Sequence, residues 1–337
     1  MKLALLGLKG HVTAVVAGAK LLGDVAIVAV SDNNLKAAEA FLKRLPQPHA
    51  AQAYAEWQHV LEHTLPDVCC VADETGMRLE QLLALLERGV HIISEKPLVT
   101  TLAELERLRG AFAKSKSQLT MLLELRHQPK YARVREIIQR GGIGTVAQVA
   151  TQKSYKWGER PAWLQSRARL GGTIPYIGIH SLDIIRWVTG LDFTHVAAFH
   201  GRSGRPEFGE TEDQASILAQ LSNGASVTAR LDYLRPAKAA THGDDRLRIT
   251  GTKGVLEVNE GDDAITLVSD AGTERIPFEV TENIFVEFVK FLRGGPPPRI
   301  TADDSFYSTE VVLRAREAAD EKKLIALPPL RPVRAAK

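Results

Sequence analysis

Apolar positions in the first third of the chain switch repeatedly between two periods. Leu3 to Leu6 is a short continuous apolar run, and Gly7-Leu8-Lys9-Gly10 breaks it. Val12, Val15, Val16, Ala19 and Leu22 then recur at helical spacing up to Gly23. A run apolar on both sides suits a strand covered on both faces, and the spacing that follows suits an amphipathic helix. The alternation continues with a strand over Val25 to Val30, a helix over Leu35 to Leu45 stopped by Pro46, and a strand over Val68 to Ala72. A helix through Leu79, Leu82, Leu83 and Leu86 ends at Gly89, and Val90 to Ser94 is the next strand. The capping box of Thr101 and Glu104 opens a further helix, and Leu119 to Leu123 is a strand again. Repeated strand–helix units predict a parallel sheet with helices on both faces.

The rest of the chain has another texture. Strand-like runs follow one another at Ala147 to Tyr155, Thr194 to His200, Gln214 to Leu221, Ser226 to Tyr233, Arg246 to Thr250, Val255 to Val258 and Ala264 to Val268. Asn223-Gly224 predicts a tight hairpin between two of them. Helical patterns intrude at Tyr131 to Arg140, Ser181 to Thr189, Asn283 to Leu292 and Asp304 to Glu321. This predicts a second domain with an antiparallel sheet, the boundary lying at residues 123–126. The tail, Pro328 to Lys337, is expected to fray.

Composition narrows the class. Of 337 residues, 45% are hydrophobic and 25% charged, which excludes a disordered or disulfide-stapled chain. The net charge of +3 is too mild to argue for nucleic acid. Cys69 and Cys70 are adjacent in an apolar run and read as buried strand residues in a reducing compartment. Lys9-Gly10-His11 interrupts the apolar N-terminus too early for a secretory leader, and no window approaches the ~18 apolar residues of a membrane span. A cytoplasmic protein is expected.

Three segments carry candidate chemistry. The first is the turn after the first strand. A dinucleotide-binding fingerprint, G-x-G-x-x-G, lets the backbone approach a pyrophosphate at a helix N-terminus. Its three glycine positions fall here on Gly7, Lys9 and Val12, with Gly10 one residue late and His11 beside it. On this turn alone, a buried strand–turn–helix without ligand is an equal reading. Asp32, 25 residues after Gly7 at the end of the second strand, can accept hydrogen bonds from a ribose diol and would repel a 2′-phosphate. It therefore favours NAD, with NADP the weaker candidate. The second segment is Ser94-Glu95-Lys96-Pro97, at the carboxyl end of a parallel strand, where open α/β sheets bind ligands. Alone it equally fits a surface Glu–Lys pair. The third runs from Gly171 to Asp183. If it is helical, Tyr176, His180 and Asp183 share one face.

Together, Glu95-Lys96-Pro97 and the Gly171-Gly172…Gly178-x-His180-x-x-Asp183 segment resemble the glucose–fructose oxidoreductase/inositol dehydrogenase family (Gfo/Idh/MocA). Arg126-His127-Gln128-Pro129, Gly142 to Val146 and Gly251 to Gly254 extend the resemblance over nearly the whole chain. It implies an α/β Rossmann domain, 1–123, followed by an α+β domain, 124–337, with a large mostly antiparallel open sheet. The open face implies a homodimer or homotetramer. The implied activity is hydride transfer between nicotinamide and a carbinol or carbonyl carbon of a sugar, sugar acid, cyclitol or related hydroxy compound. Lys96 matches the family's catalytic lysine, able to stabilise negative charge on the reacting oxygen. Burial beside the cofactor is expected to lower its pKa. His180 matches the proton donor or acceptor, and Asp183 a residue that orients substrate or histidine. Gly7, Lys9, Gly10, His11, Val12, Asp32, Asp73, Glu74, Glu95 and Lys96 are expected to hold the cofactor, and Arg78, Trp163, Tyr176 and Asp183 the substrate.

Three departures stand out. Tyr176 occupies the family's usual aspartate position and offers a hydroxyl as acid or base. Asp73-Glu74-Thr75-Gly76-Met77-Arg78 replaces a Thr-Pro-Asn…His segment, and Lys9 replaces a glycine. Arg78, supported by Lys156, Arg160, Arg167 and Arg169, is a candidate reader of an anionic substrate group; an ordinary solvated charged face is the competing reading. The departures also keep open a catalytically silent dinucleotide-binding sensor. No zinc motif, nucleophile elbow or P-loop is present, and no metal is expected.

Overall fold

The computed structural model describes residues 1–45, 50–279 and 282–334. They form two compact units, one built from the described residues within 1–122, 282–306 and 332–337, the other from those within 123–281 and 307–331.

The first unit alternates β1 (Lys2–Leu6), α1 (Val12–Leu22), β2 (Ala26–Ser31), α2 (Leu35–Leu42), β3 (Gln52–Tyr54), α3 (Trp57–His63), β4 (Val68–Val71), α4 (Arg78–Glu87), β5 (His91–Ser94), α5 (Leu102–Lys114) and β6 (Leu119–Met121). The strands form a 6-stranded sheet in the order β3-β2-β1-β4-β5-β6, and each pairing is parallel. Strand order reverses between β1 and β4, and the crevice at such a switch point is where a doubly wound sheet binds ligands. Leu3 to Leu6 and Val68 to Val71 are fully buried, because helices cover both faces of these central strands. Thr101 caps α5 in a full capping box, as its sequence predicts. Strand β3 and helix α3 escape the sequence pattern because three and seven residues are too short to show a period. Helix α2 stops at Leu42 rather than Leu45, and Pro46 lies outside the described residues.

The second unit holds α6 (Pro129–Gln139), β7 (Val146–Ser154), α7 (Arg167–Leu170), α8 (Ile179–Thr189), β8 (Phe193–Gly201), β9 (Gln214–Leu221), β10 (Ser226–Asp232), β11 (Arg246–Gly251), β12 (Gly254–Asn259), β13 (Ala264–Ser269) and β14 (Gly272–Pro277). After α9 (Ile284–Leu292) and α10 (Ala302–Glu321) comes β15 (Ile325–Ala326). These strands make a 9-stranded sheet ordered β14-β13-β12-β11-β7-β10-β9-β8-β15. Among the described pairings of this second sheet, β7–β10 is parallel and the others are antiparallel. Strand β9 alternates exposed and buried residues along its length, the mark of a sheet with one open face. Strand β14 is almost wholly exposed, so no apolar alternation announces it; pairing with β13 defines it.

A single cut at 123/124 does not describe the units. Helix α9, expected in the second domain, packs on α1 in the first. A Cβ at Gly18 of α1 would stand 2.4 Å from Asn283 Oδ1 and 2.8 Å from Phe285 Cβ, so the close approach needs glycine. Asn283 caps α9 through Phe285 N at 2.9 Å, while its Nδ2 donates to Ala14 O at 3.0 Å. The tail is also tied down as far as Arg334. That guanidinium lies 3.9 Å over the Phe112 ring and donates to Ser117 O at 2.6 Å. Residues 335–337 of the expected fraying tail lie outside the described residues. No helix among the described residues is long and apolar enough to cross a membrane.

Candidate active site

Gly7 follows β1 with φ of 83°, and a Cβ there would fall 2.5 Å from Ala72 O. Only glycine lets the turn pass this close to the end of β4. Lys9 N donates to Ala72 O at 2.9 Å, which pins the turn to the switch point. The Lys9 side chain does not cross the turn. Its ammonium lies 2.9 Å from Asp73 Oδ1 and 3.5 Å from Asp32 Oδ2. Burial alone would lower the Lys9 pKa, but Asp73 and Asp32 more than offset it and hold the ammonium above its ordinary range. Burial conversely raises that of Asp73, and Lys9 brings it below the ordinary carboxylate value. Asp73 also accepts from Glu74 N at 2.8 Å and Gln81 Nε2 at 3.0 Å. Asp32 Oδ1 accepts from Asn34 N at 3.0 Å, so the carboxylate at the end of β2 has a fixed orientation.

The second cluster lies around β5. Glu95 is buried, and its carboxylate accepts from His11 N, from the His11 ring at Nδ1 2.8 Å away, and from Lys96 N at 3.1 Å. An acidic group at the start of α1 complements the helix dipole. Burial would raise the Glu95 pKa; His11, then Lys96 and Arg78, outweigh it and bring it to about 2. Gly10, φ 63°, is required here because a Cβ would sit 2.3 Å from Glu95 Oε1. Lys96 is buried at 4% exposure and its bond to Pro97 is cis. Val12, at the third fingerprint position, is buried in the first turn of α1.

Gly7, Lys9, Asp32, Asp73, Glu95 and Lys96 therefore all follow carboxyl ends of parallel strands. The glycine-only approach at Gly7 and the oriented Asp32 carboxylate fit a nicotinamide dinucleotide. Arg78, expected to read a substrate anion, is turned towards the protein. At 2% exposure it donates from Nε to Asp73 O at 2.9 Å, from Nη2 to Thr75 Oγ1 at 3.0 Å, and from Nη1 to Pro97 O. It clamps the β4 loop to the Lys96-Pro97 turn instead of facing a substrate anion.

In the second unit, Ile174–Gly178 is a π-helical turn running into α8. A π turn takes more residues per revolution than the 3.6 of an α-helix. Four α-helical residues overshoot one revolution by about 40°, and the π segment reduces that overshoot between Tyr176 and His180. Asp183 lies one turn further along α8 than His180. It is buried at 2%, and Arg126 holds it through Nε to Oδ2 at 2.9 Å and Nη2 to Oδ1 at 2.6 Å. Ser308 Oγ donates to Oδ1 at 2.7 Å. Expected to orient substrate or histidine, Asp183 here joins an internal ion pair that ties α8 to Arg126 and Ser308. Trp163 is buried and stands edge-on to Tyr176, ring centroids 6.0 Å apart at 81°. Its Nε1 is buried without a hydrogen-bond partner among the described residues. His180, in the first turn of α8, is 9% exposed.

The loop cations are also committed to the protein. Arg160 donates to Trp157 O at 2.6 Å and lies over the Trp157 and Tyr233 rings at 5.6 and 5.3 Å. Lys156 donates to Ala239 O, and Arg167 pairs with Glu212 at 2.7 Å and Asp320 at 2.5 Å. Arg169 is exposed. The sequence reading missed the aromatic group of Trp157, Phe208 and Tyr233, and the buried Lys153–Asp245 pair. Lys153 lies within a predicted strand and Tyr233 ends another, but nothing local announces their partners.

Comparison with known proteins gives the family and the fold. Residues 1–123 match a family described as oxidoreductases with an NAD-binding Rossmann fold, and residues 131–257 match the GFO/IDH/MocA C-terminal domain. A myo-inositol 2-dehydrogenase of Thermotoga maritima is 22% identical, the match covering 97% of this chain and 98% of that one. An NADP(+)-dependent scyllo-inositol 2-dehydrogenase of Bacillus subtilis is 23% identical over 81% of this chain and 83% of that one. A solved oxidoreductase structure from Thermotoga maritima superposes with a TM-score of 0.91 at 31% identity, covering 97% of this chain and 100% of that one.

Proposed function

The chain belongs to the Gfo/Idh/MocA family of oxidoreductases, and from that premise we propose that it uses NAD(H) to interconvert a secondary alcohol and a ketone on a neutral sugar or cyclitol ring. It is an NAD(P)-dependent oxidoreductase acting on CH–OH groups. The silent-sensor alternative has no support from relatives named as dehydrogenases and reductases.

One observation carries the finer reading. The oriented Asp32 carboxylate ends β2 beside a glycine-only turn, where an adenosine ribose diol would find an acceptor and a 2′-phosphate a repelling charge. Neutrality of the substrate is supported by Arg78, Lys156, Arg160 and Arg167, whose donors go to protein acceptors. The bound nicotinamide supplies the hydride acceptor or donor. The chain's own groups handle the proton and the charge. Lys96 hydrogen-bonds the reacting oxygen and stabilises its developing negative charge. His180 takes or gives the proton, and Tyr176, whose ring stands edge-on to Trp163, orients the substrate ring or shares that task through its hydroxyl. Trp163 Nε1 offers the substrate a donor.

Adjacent free cysteines buried in β4 suit a reducing cytoplasm. Exposed Phe199 and Leu218, on the same open face of the second sheet, suit a homodimer or homotetramer. The test is titration of the protein with NADH and NADPH, followed by a screen of neutral sugars, cyclitols and sugar acids. Tight NADH binding with turnover of a neutral ring is the expected result. Preference for NADPH overturns the role of Asp32, and preference for sugar acids overturns the neutral pocket.

A further inference from the structure

The Gly171-Gly172-Thr173 turn that launches the π segment is held by a network centred on Glu212. Gly171 and Gly172 have φ of 91° and 96°. Glu212, at 6% exposure in the loop before β9, reaches this turn twice. Thr173 N donates to Glu212 Oε2 at 3.3 Å, and Thr173 Oγ1 donates to the Glu212 carbonyl. A Cβ at Gly172 would come within 3.1 Å of Glu212 Oε2, so the carboxylate sits directly against the turn. Thr173 itself is fully buried.

Glu212 is in turn fixed from behind. Arg167 Nε lies 2.7 Å from Glu212 Oε1, and Arg167 Nη2 is 2.5 Å from Asp320. His200 faces the same two acids, with Nδ1 3.6 Å from Glu212 and Nε2 3.2 Å from Asp320. Arg316 donates to Gly171 O at 2.7 Å and stands 4.0 Å from Asp320. The turn is thus gripped at Gly171 O, Thr173 N and Thr173 Oγ1 by groups whose charges balance each other. Buried hydrogen bonds to a charged group are among the stronger ones, and removing one partner leaves the other unsatisfied.

The consequence runs along the helix. Thr173 immediately precedes Ile174–Gly178, and Tyr176 N donates back to Gly172 O at 3.1 Å. Any rotation of Thr173 therefore turns the π segment, and with it Tyr176 and the start of α8 that carries His180. We propose that Glu212 is a positioning residue: through Thr173 it sets the winding of the π turn and so the orientation of Tyr176 and His180 for the reaction. This rests on the roles proposed above for those two side chains.

The experiment compares Thr173→Val, which keeps size but loses the Oγ1 donor, with Thr173→Ser, which keeps the donor. Glu212→Gln is the second variant. Two readouts are taken: steady-state kinetics with the substrate the wild type turns over, and NMR of ring-labelled histidine. Thr173→Val and Glu212→Gln should lose about 10- to 100-fold in kcat, with NADH affinity unchanged, and their His180 ring signals should shift. Thr173→Ser should keep both kcat and the signals. A Thr173→Val variant with lowered melting temperature but wild-type kcat and unmoved His180 signals overturns the proposal. If the wild type itself turns over nothing, the functional reading fails. The His180 signals still decide whether Glu212 positions the helix: shifted in Thr173→Val but not in Thr173→Ser upholds it, and unmoved in both overturns it. Failure of Glu212→Gln to fold leaves the decision to the Thr173 pair.

Discussion

Lys9 and Asp73 meet at 2.9 Å in a turn where dinucleotide-binding folds keep a glycine, and the same ammonium lies 3.5 Å from Asp32. A side chain that would crowd a pyrophosphate is drawn sideways into an ion pair with the loop after the neighbouring strand. Asp73 is nearly buried while Lys9 keeps 22% side-chain exposure. Lys9→Met should therefore cost about 2–3 kcal/mol, below the full penalty of breaking a buried pair. Urea unfolding measures this, and Asp73→Asn in the Lys9→Met background should recover part of it. The raised Lys9 pKa means its contribution is present below 10.5 and is lost as pH rises through the folded value. The lowered Asp73 pKa means its contribution is present above 3.8 and is lost as pH falls. Wild type minus Lys9→Met stability should thus be flat from about pH 5 to 9.

Glu95 governs the acid limb. Its folded pKa of about 2 lies below the ordinary value of 4.5, so its ionised form stabilises the fold above 4.5 and the contribution disappears as pH falls towards 2. Glu95→Gln should be less stable near neutrality, with a shallower loss of stability between those pH values. Equal acid-unfolding slopes for the two proteins would count against the Glu95–His11 pairing.

Asp32 decides coenzyme choice. Asp32→Ser should weaken NADH and strengthen NADPH binding, moving the ratio of affinities at least about 10-fold towards NADPH. Fluorescence titration of both coenzymes measures it. An unchanged ratio would show that Lys9, beside Asp32, already neutralises the repulsion.

Two residues expected to meet substrate should behave as framework. Asp183→Asn removes the negative charge that pairs with the buried Arg126 guanidinium and should cost about 3–5 kcal/mol. Arg78→Ala should lower stability while leaving the preference between neutral and acidic sugars as it was. Changed selectivity in Arg78→Ala would restore it as a substrate reader.

Gly7→Ala tests the turn itself. With φ of 83° and a Cβ 2.5 Å from Ala72 O, the substitution must shift the backbone between β1 and β4. NADH binding should fall by more than about 10-fold, and the protein should lose stability.

Local pattern in the chain was enough to read the main elements and where chemistry could sit. Periods of two and 3.6 are local properties, so β1, α1, β4, β5 and the Thr101 cap were legible, as were Gly7, Asp32 and Lys96 at strand ends. Elements whose partners lie far along the chain were not. Strand β14 has no apolar face to betray it, and α9 joins the first unit only because Gly18 lets Asn283 approach. The charged side chains divide the same way. A sequence shows that Arg78, Arg167 and Asp183 carry charge but not what neutralises it. Pairing with groups 57 residues away, as between Asp183 and Arg126, is fixed only when the chain closes on itself. Tertiary structure decided which charges became framework, because a buried charge must find a partner and those partners are distant in sequence.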